Sequence, residues 1–472
     1  MSTTTPMASP MKKQIAAMRG YLEEVGHFTK LDPDQDSWLP ITKSRKGNAY
    51  YSAFHTLCSG IGVQALVLPL AFTTLGWIWG LFCLSLVFIW QLYTLWLLIQ
   101  LHESESGIRY SRYLGLTMAA FGEKPGKLLA MFPTMYLSGG TCVFLVMIGG
   151  GAMKILFQLV CEPDTCNLKP LTTLGWYLVF TCLATIILAK LPNLNSIAGV
   201  SLVGAITAVG YCTLIWLVSI IKGSPVGVSY DPPEAKSDLA RVSSILNALG
   251  IIAFAFRGHN LVLEIQGTMP SSTEEPSRIP MWRGVKVAYT IIAMCLFPLA
   301  IGGYWSYGTM IPANEGMLNA LYKYHGQDTS KALLQLTSLF VVINSLSSFQ
   351  IYAMPTLDNW ESKYTSRFNK PCPQWLGSMF RVLFGCLGFF VPVALPCLPS
   401  LAGLIGGIAL PISLAYPCFM WILIKKPQKH SAMWFLNWVL GVSGMVISVL
   451  VVFGAIWAIV TMGIEAHFFN PQ

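Results

Sequence analysis

The chain has 472 residues, 54% hydrophobic and only 11% charged, against roughly 25% charged in an ordinary soluble domain. With a mean hydropathy of +0.58, that balance excludes a large soluble core and points to a polytopic membrane protein. The net charge of +9 is no nucleic-acid signature, because the cations are sorted by loop instead of gathered in a patch.

Residues 1–47 are polar and hold no short apolar core followed by a cleavage site. The expectation is a cytosolic N-terminal tail without a signal peptide, so that the first spanning helix directs insertion. In that tail Met11, Ile15, Met18, Leu22 and Val25 recur at helical spacing. A helix lying against the membrane or the inner gate fits this pattern, and so does a plain surface helix or disorder.

Eleven stretches then approach the roughly 20 apolar residues that a spanning helix needs. They run about 48–74, 75–101, 126–158, 171–189, 194–222, 241–268, 283–308, 331–357, 374–395, 400–424 and 434–461. Barrel strands would be about ten residues long and alternating, whereas these stretches are longer and continuous. The expected fold class is all-α, with one transmembrane domain over 48–461 and a short tail over 462–472. The loops near 102–125, 223–240, 269–282 and 309–330 are too short for a domain of their own.

With the N-terminus inside, the inner segments hold 22 of the 30 lysines and arginines, and the outer segments hold six. The positive-inside rule therefore predicts N-in and, after eleven crossings, an extracellular C-terminus. Lys154, near the outer end of segment 3, is expected to snorkel to the surface. Cys161 and Cys166 share the outer loop "CEPDTC", where an oxidising face permits a bridge; two free thiols are the alternative.

Enzyme signatures are missing. In "GEKPGKLL", Gly122 and Gly126 are too close for a phosphate loop, and Leu128 stands where a magnesium-binding hydroxyl belongs. No paired-cysteine zinc pattern and no nucleophile elbow occur. The expectation is no enzyme, no metal and no cofactor.

Two segments are interrupted in a way the others are not. Segment 1 reads "AFHTLCSGIGVQALVLPLAF", with Ser59, Gly60, Ile61 and Gly62 at its middle. Segment 6 reads "AFAFRGHNLVLEIQ", with Arg257, Gly258, His259 and Asn260 at its middle. Five helices separate the two, so segments 1–5 and 6–10 run in opposite directions. That is the layout of a five-plus-five inverted repeat, with segment 11 added outside it. Glycine-broken segments at matching places in two inverted halves point to a transporter binding site. An unwound turn frees backbone groups that lipid cannot satisfy. Half-helix N-termini suit a carboxylate, freed carbonyls suit an ammonium or a cation, and an amino acid carries both groups. Close helix packing is the other use of Gly60 and Gly62.

Within these boundaries Glu264 is the one acidic residue in a spanning segment, and a carboxylate at that depth is costly. Proton coupling or gating and structural pairing both account for it. His259 in the break either binds a proton or the substrate, or packs as a neutral hydrogen-bonded ring. Arg257 does not readily lose its proton; it meets a substrate carboxylate or pairs with an acceptor such as Glu264. Its fixed charge is expected to favour neutral or acidic substrates over cationic ones.

"YSAFH" at Tyr51–His55, "LPLAFTTLGW" at Leu68–Trp77 and "GHNLVLEIQGTMPS" at Gly258–Ser271 resemble the plant amino acid/auxin permease family, in its lysine/histidine transporter-like branch. The resemblance spans essentially the whole membrane domain. It implies eleven helices in a transporter-type inverted repeat, substrate between broken helices 1 and 6, and proton-coupled amino-acid uptake at the plasma membrane. The partners it implies are an amino acid, protons and lipid, and no nucleic acid. Arg257, Cys58 and Gln64 depart from the small or apolar residues usual in relatives, which puts the branch's substrate name in doubt. In segment 8, which packs near the site in this fold, Asn344, Ser345, Ser347 and Ser348 either help hold sodium with carbonyls of segment 1 or bond back to their own helix. An auxin-like carrier of aromatic carboxylates on the same fold is the nearest rival. A non-transporting amino-acid sensor and an integral membrane enzyme are the others.

Overall fold

Lipid offers the backbone no hydrogen bonds, so continuous apolar runs satisfy themselves as helices. The computed structural model describes residues 38–104, 108–161, 169–191, 193–256, 258–272, 274–312, 316–394, 404 and 406–462. Among them no strand forms, and one isolated bridge joins Glu103 to Arg109. The helices are α1 (Ala49–Gly60), α2 (Val63–Leu101), α3 (Tyr113–Phe121), α4 (Glu123–Val160), α5 (Thr173–Lys190), α6 (Ala198–Lys222), α7 (Asp238–Ala255), α8 (His259–Gly267), α9 (Arg278–Tyr307), α10 (Gly316–His325), α11 (Lys331–Phe368), α12 (Gln374–Ala394), α13 (Pro411–Leu414), α14 (Tyr416–Lys425) and α15 (Ala432–Met462).

Ten helices among the described residues are long and apolar enough to cross a membrane. The eleven expected segments differ from this count because α2 runs through the end of segment 1 and all of segment 2. Gly76 interrupts it with φ 69 and ψ −175, a conformation that glycine adopts at little cost.

Local signals set the ends. Asn48 caps α1 by accepting from the Tyr51 amide at 3.0 Å, and Ser237 caps α7 by accepting from Ala240 at 3.2 Å. α9 packs on α1 and α2, α7 on α2 and α15, and α11 along α4 and α6. α8 sits inside this frame with every residue buried, against α1, α2, α3, α4, α11 and α13. Residues just before α1 also join the packing. Leu39 and Ile41 are buried, and the Gly47 amide donates to the Thr268 carbonyl at 2.9 Å, just beyond α8.

One expectation is corrected. Segment 8 was expected to stop at 357, but α11 continues to Phe368 and ends at Asn369 in the left-handed region. Asp358 and Glu361 therefore lie buried within the helix, and Glu264 is not the one buried helical carboxylate. A helix propagates until its last carbonyls are capped, not until hydropathy falls.

Candidate functional site

The first break falls at Ile61 and Gly62, between α1 and α2, where both residues leave helical geometry. Its freed carbonyls are met by side chains from three helices. Ser348 on α11 donates to the Cys58 carbonyl at 2.8 Å. Tyr352, one turn on, donates to the Ser59 carbonyl at 2.8 Å. Gln64 reaches back to the Gly60 carbonyl at 2.7 Å. Tyr211 on α6 donates to the Gly62 carbonyl at 3.0 Å. The Ser59 hydroxyl bonds back to the His55 carbonyl at 2.8 Å, as serine in membrane helices commonly does.

The second break falls between Ala255 and His259. Gly258 has φ 126, strained for any residue with a side chain. Its carbonyl accepts from the Leu261 and Val262 amides, each at 2.9 Å. The amides of His259 and Asn260 stand at the helix N-terminus, where no intrahelical partner exists. Gln91 on α2 donates to the Ala253 carbonyl at 2.6 Å. The His259 ring faces α2, with Nε2 3.0 Å from Thr94 Oγ1 and 3.1 Å from the Gln91 carbonyl. His259 Nδ1 and Gln91 Oε1 are buried without a hydrogen-bond partner. Asn260 donates to Ser138 on α4 at 3.4 Å.

The breaks face each other. A Cβ built on Gly258 would meet Ser59 Oγ at 4.0 Å. A cavity of about 20 Å³ lies at the second break, bordered by Gln91, Phe256, Gly258, His259 and Asn260 among others. A buried water needs roughly 10–15 Å³, so this cavity is too small to hold an amino acid as it stands.

Glu264, on the same helix, lines a separate cavity of about 80 Å³ together with Thr134, Arg112 and Asp358. Arg112 grips Asp358 with two of its three guanidinium nitrogens, Nε to Oδ2 at 2.5 Å and Nη2 to Oδ1 at 3.3 Å. The far end of α8 is held by Arg109, which donates to the Met269 carbonyl at 2.8 Å.

Ser59, Gly60, Ile61, Gly62, Gly258, His259 and Asn260 thus border the two facing breaks, and Glu264 stands apart in the larger cavity. Ser348 reaches the first break, whereas Asn344 donates to the Gly204 carbonyl on α6 at 3.0 Å and Ser347 bonds back to Ile343 at 2.8 Å. Ser345 is buried. Arg257 and Cys166 lie outside the described residues; Cys161 is disulfide-bonded. Lys154 donates to Thr173 at 3.0 Å. Sequence reasoning missed Gln91, Thr94, Ser138, Tyr211, Tyr352, Arg112 and Asp358. Of these, Gln91 and Thr94 left a signal, a polar pair three residues apart in an apolar helix.

Membrane-length helices around two facing helix breaks define the class, an integral membrane transporter. A profile of the family described as Transmembrane amino acid transporter protein matches residues 45–461, and the chain belongs to that family. It is 56% identical over 467 residues to Lysine histidine transporter-like 8 of Arabidopsis thaliana, covering 99% of this chain and 89% of that one. It is 46% identical over 439 residues to Lysine histidine transporter-like 7 of the same plant, covering 92% and 90%. Among solved structures, a Na+-coupled sialic acid symporter aligns with a TM-score of 0.46 and 12% identity, over 94% of this chain and 97% of that one. The likeness to the lysine/histidine transporter-like branch is thereby established, and with it amino-acid transport as the protein's broad function rather than catalysis.

Proposed function

We propose that the protein is a proton-coupled amino-acid symporter working by alternating access, with substrate held between the two breaks. The observation that carries this reading is the approach of the Gly258 backbone to Ser59, which brings two unwound turns together in the bundle interior. In this reading the chain has eleven spanning helices in a five-plus-five inverted repeat plus one, with Val63–Leu101 counted as parts of the first two. The tail 1–47 is cytosolic, 48–461 is the transport domain, 462–472 is extracellular, and the membrane is the plasma membrane. The substrate carboxylate meets helix N-terminal amides at the Ser59–Gly62 turn and at His259–Asn260. His259 and Glu264 link protonation to closure. Arg257 biases selection toward neutral or acidic amino acids, against the lysine in the relatives' names. Enlarging the small cavity at the second break is the conformational step that this reading requires.

The test is uptake of labelled amino acids into proteoliposomes with an imposed pH gradient, then with a sodium gradient at equal pH. Accumulation driven by pH alone supports the reading; accumulation driven by sodium alone sinks it. A second reading, an auxin-like carrier of aromatic carboxylates, draws on the capped carbonyls of the first break. Gln64, Tyr211, Tyr352 and Ser348 already donate to the acceptors that an ammonium would use. Competition of indole acetic acid against neutral amino acids separates the two.

A further inference from the structure

The cavity beside Glu264 is a different space from the one at the second break. It holds about 80 Å³, room for several waters at roughly 10–15 Å³ each. Two atoms on its walls, Glu264 Oε2 and Thr134 Oγ1, have no hydrogen-bond partner. Their residues are 3% and 4% exposed. A buried polar atom without a partner is costly, and a buried carboxylate more so. Water answers the first cost, and a proton on Glu264 answers the second.

Charge on the walls supports a single positive equivalent. Arg112 and Asp358 neutralise each other through their paired bonds, which leaves Glu264 uncompensated among the described lining residues. Tyr113 of α3 also lines the space, its hydroxyl donating to the Ile412 carbonyl of α13 at 2.9 Å. α4 lines it with Met131, Thr134 and Met135, none of them charged. Elsewhere on the elements around α8, His55 of α1 is taken up by Ser201 at 2.8 Å, Glu361 of α11 by Arg381 at 3.1 Å, and His259 by α2.

The Arg112–Asp358 pair is tied down by the segment that precedes α1. The Ile41 amide donates to Asp358 Oδ1 at 3.3 Å, and Arg112 donates to Thr42 Oγ1 at 3.3 Å. The pair and its tie to Ile41 and Thr42 thus form one wall of the cavity.

We propose that this cavity is a hydrated proton-release chamber for Glu264, closed toward the N-terminal side by the Arg112–Asp358 pair and its Ile41–Thr42 tie. The proton leaves Glu264 for a chamber water, the carboxylate remains, and the hydrated proton departs when the pair opens. The purpose of the chamber rests on the proton-coupled reading above, but its existence is testable without transport.

The experiment is infrared difference spectroscopy of the reconstituted full chain, following the buried carboxylic-acid C=O band on transfer to D2O. The band is expected in the wild type at neutral pH and absent in Glu264→Gln. Asp358→Asn is expected to speed its deuteration about tenfold or more by breaking the buried pair. Thr42→Val, a milder change that keeps the pair, is expected to speed it several-fold, so misfolding of the first variant leaves the test intact. Thr134→Val is expected to slow it by removing a water partner. Absence of a Glu264-dependent band, or deuteration unchanged in both Asp358→Asn and Thr42→Val, overturns the chamber. Loss of the band on adding sodium at fixed pH makes the cavity a sodium site and overturns it as well. If the infrared results hold while uptake follows sodium, the coupling reading fails and the chamber stands; if uptake follows protons while the band is missing, the reverse is true.

Discussion

The two helix breaks look alike in sequence and are finished differently. At the first, side chains of Gln64, Tyr211, Ser348 and Tyr352 meet four freed carbonyls. At the second, Gln91 meets the Ala253 carbonyl, while Gln91 Oε1 and His259 Nδ1 stay partnerless. An unwound turn is therefore not a binding site merely because it is unwound. What matters is whether its polar groups are already taken. The carbonyls of the first break are tied to α6 and α11; the second holds the unmet side-chain groups that a ligand could satisfy.

The largest effect that would break this contrast is expected at Gly258. Its φ of 126 makes any side chain strained by about 1–3 kcal/mol, and leucine would also crowd the Ser59 side of the gap. Gly258→Leu should leave less than about a tenth of wild-type uptake at normal surface level. Near-normal uptake would remove the second break from the site.

Next in size is the pH response. Uptake should rise as external pH falls, and Glu264→Gln should flatten that rise. If the dependence survives Glu264→Gln and vanishes in His259→Gln, the proton belongs to the second break and not to the cavity beyond it.

Arg257→Ala should then raise the relative uptake of lysine several-fold by removing a fixed cation from the chain. The measurement is competition of glutamate, alanine and lysine against a labelled neutral substrate. An unchanged ranking would leave Arg257 without a part in selectivity.

Gly60 sharpens the comparison from the other side. A Cβ there would lie 2.6 Å from Ile292 Cδ1 on α9, the flexible tip of a side chain. Gly60→Ala should lower uptake only about two- to threefold, with Ile292→Val restoring it, because overpacking costs about 1–3 kcal/mol and is relieved by a smaller neighbour. Failure of the rescue would make Gly60 a ligand contact instead of a packing position.

The smallest effect on transport is expected from Tyr352→Phe. It strands the Ser59 carbonyl at a cost of about 1–3 kcal/mol, seen as a lower Tm in detergent with substrate ranking unchanged. An altered ranking at an unchanged Tm would turn the first break into a selectivity element.

Hydropathy and spacing by themselves determined the solvent, the helical class, the approximate spans and the two interruptions. Those are properties of single segments, because lipid forces each apolar run to close its own hydrogen bonds and glycine marks where it does not. The motif around His259 was legible for the same reason, four polar residues being costly in one apolar helix. Partners were not legible, since they depend on which helices become neighbours. Only the tertiary structure decided that Tyr352 and Tyr211 take up the carbonyls of the first break, that Thr94 faces His259, and that Asp358 lies buried beyond the expected end of segment 8 against Arg112. It also separated Glu264 from the gap between the breaks. Residues four apart share a helix face, but the neighbours packed against each turn determine which cavity each side chain meets.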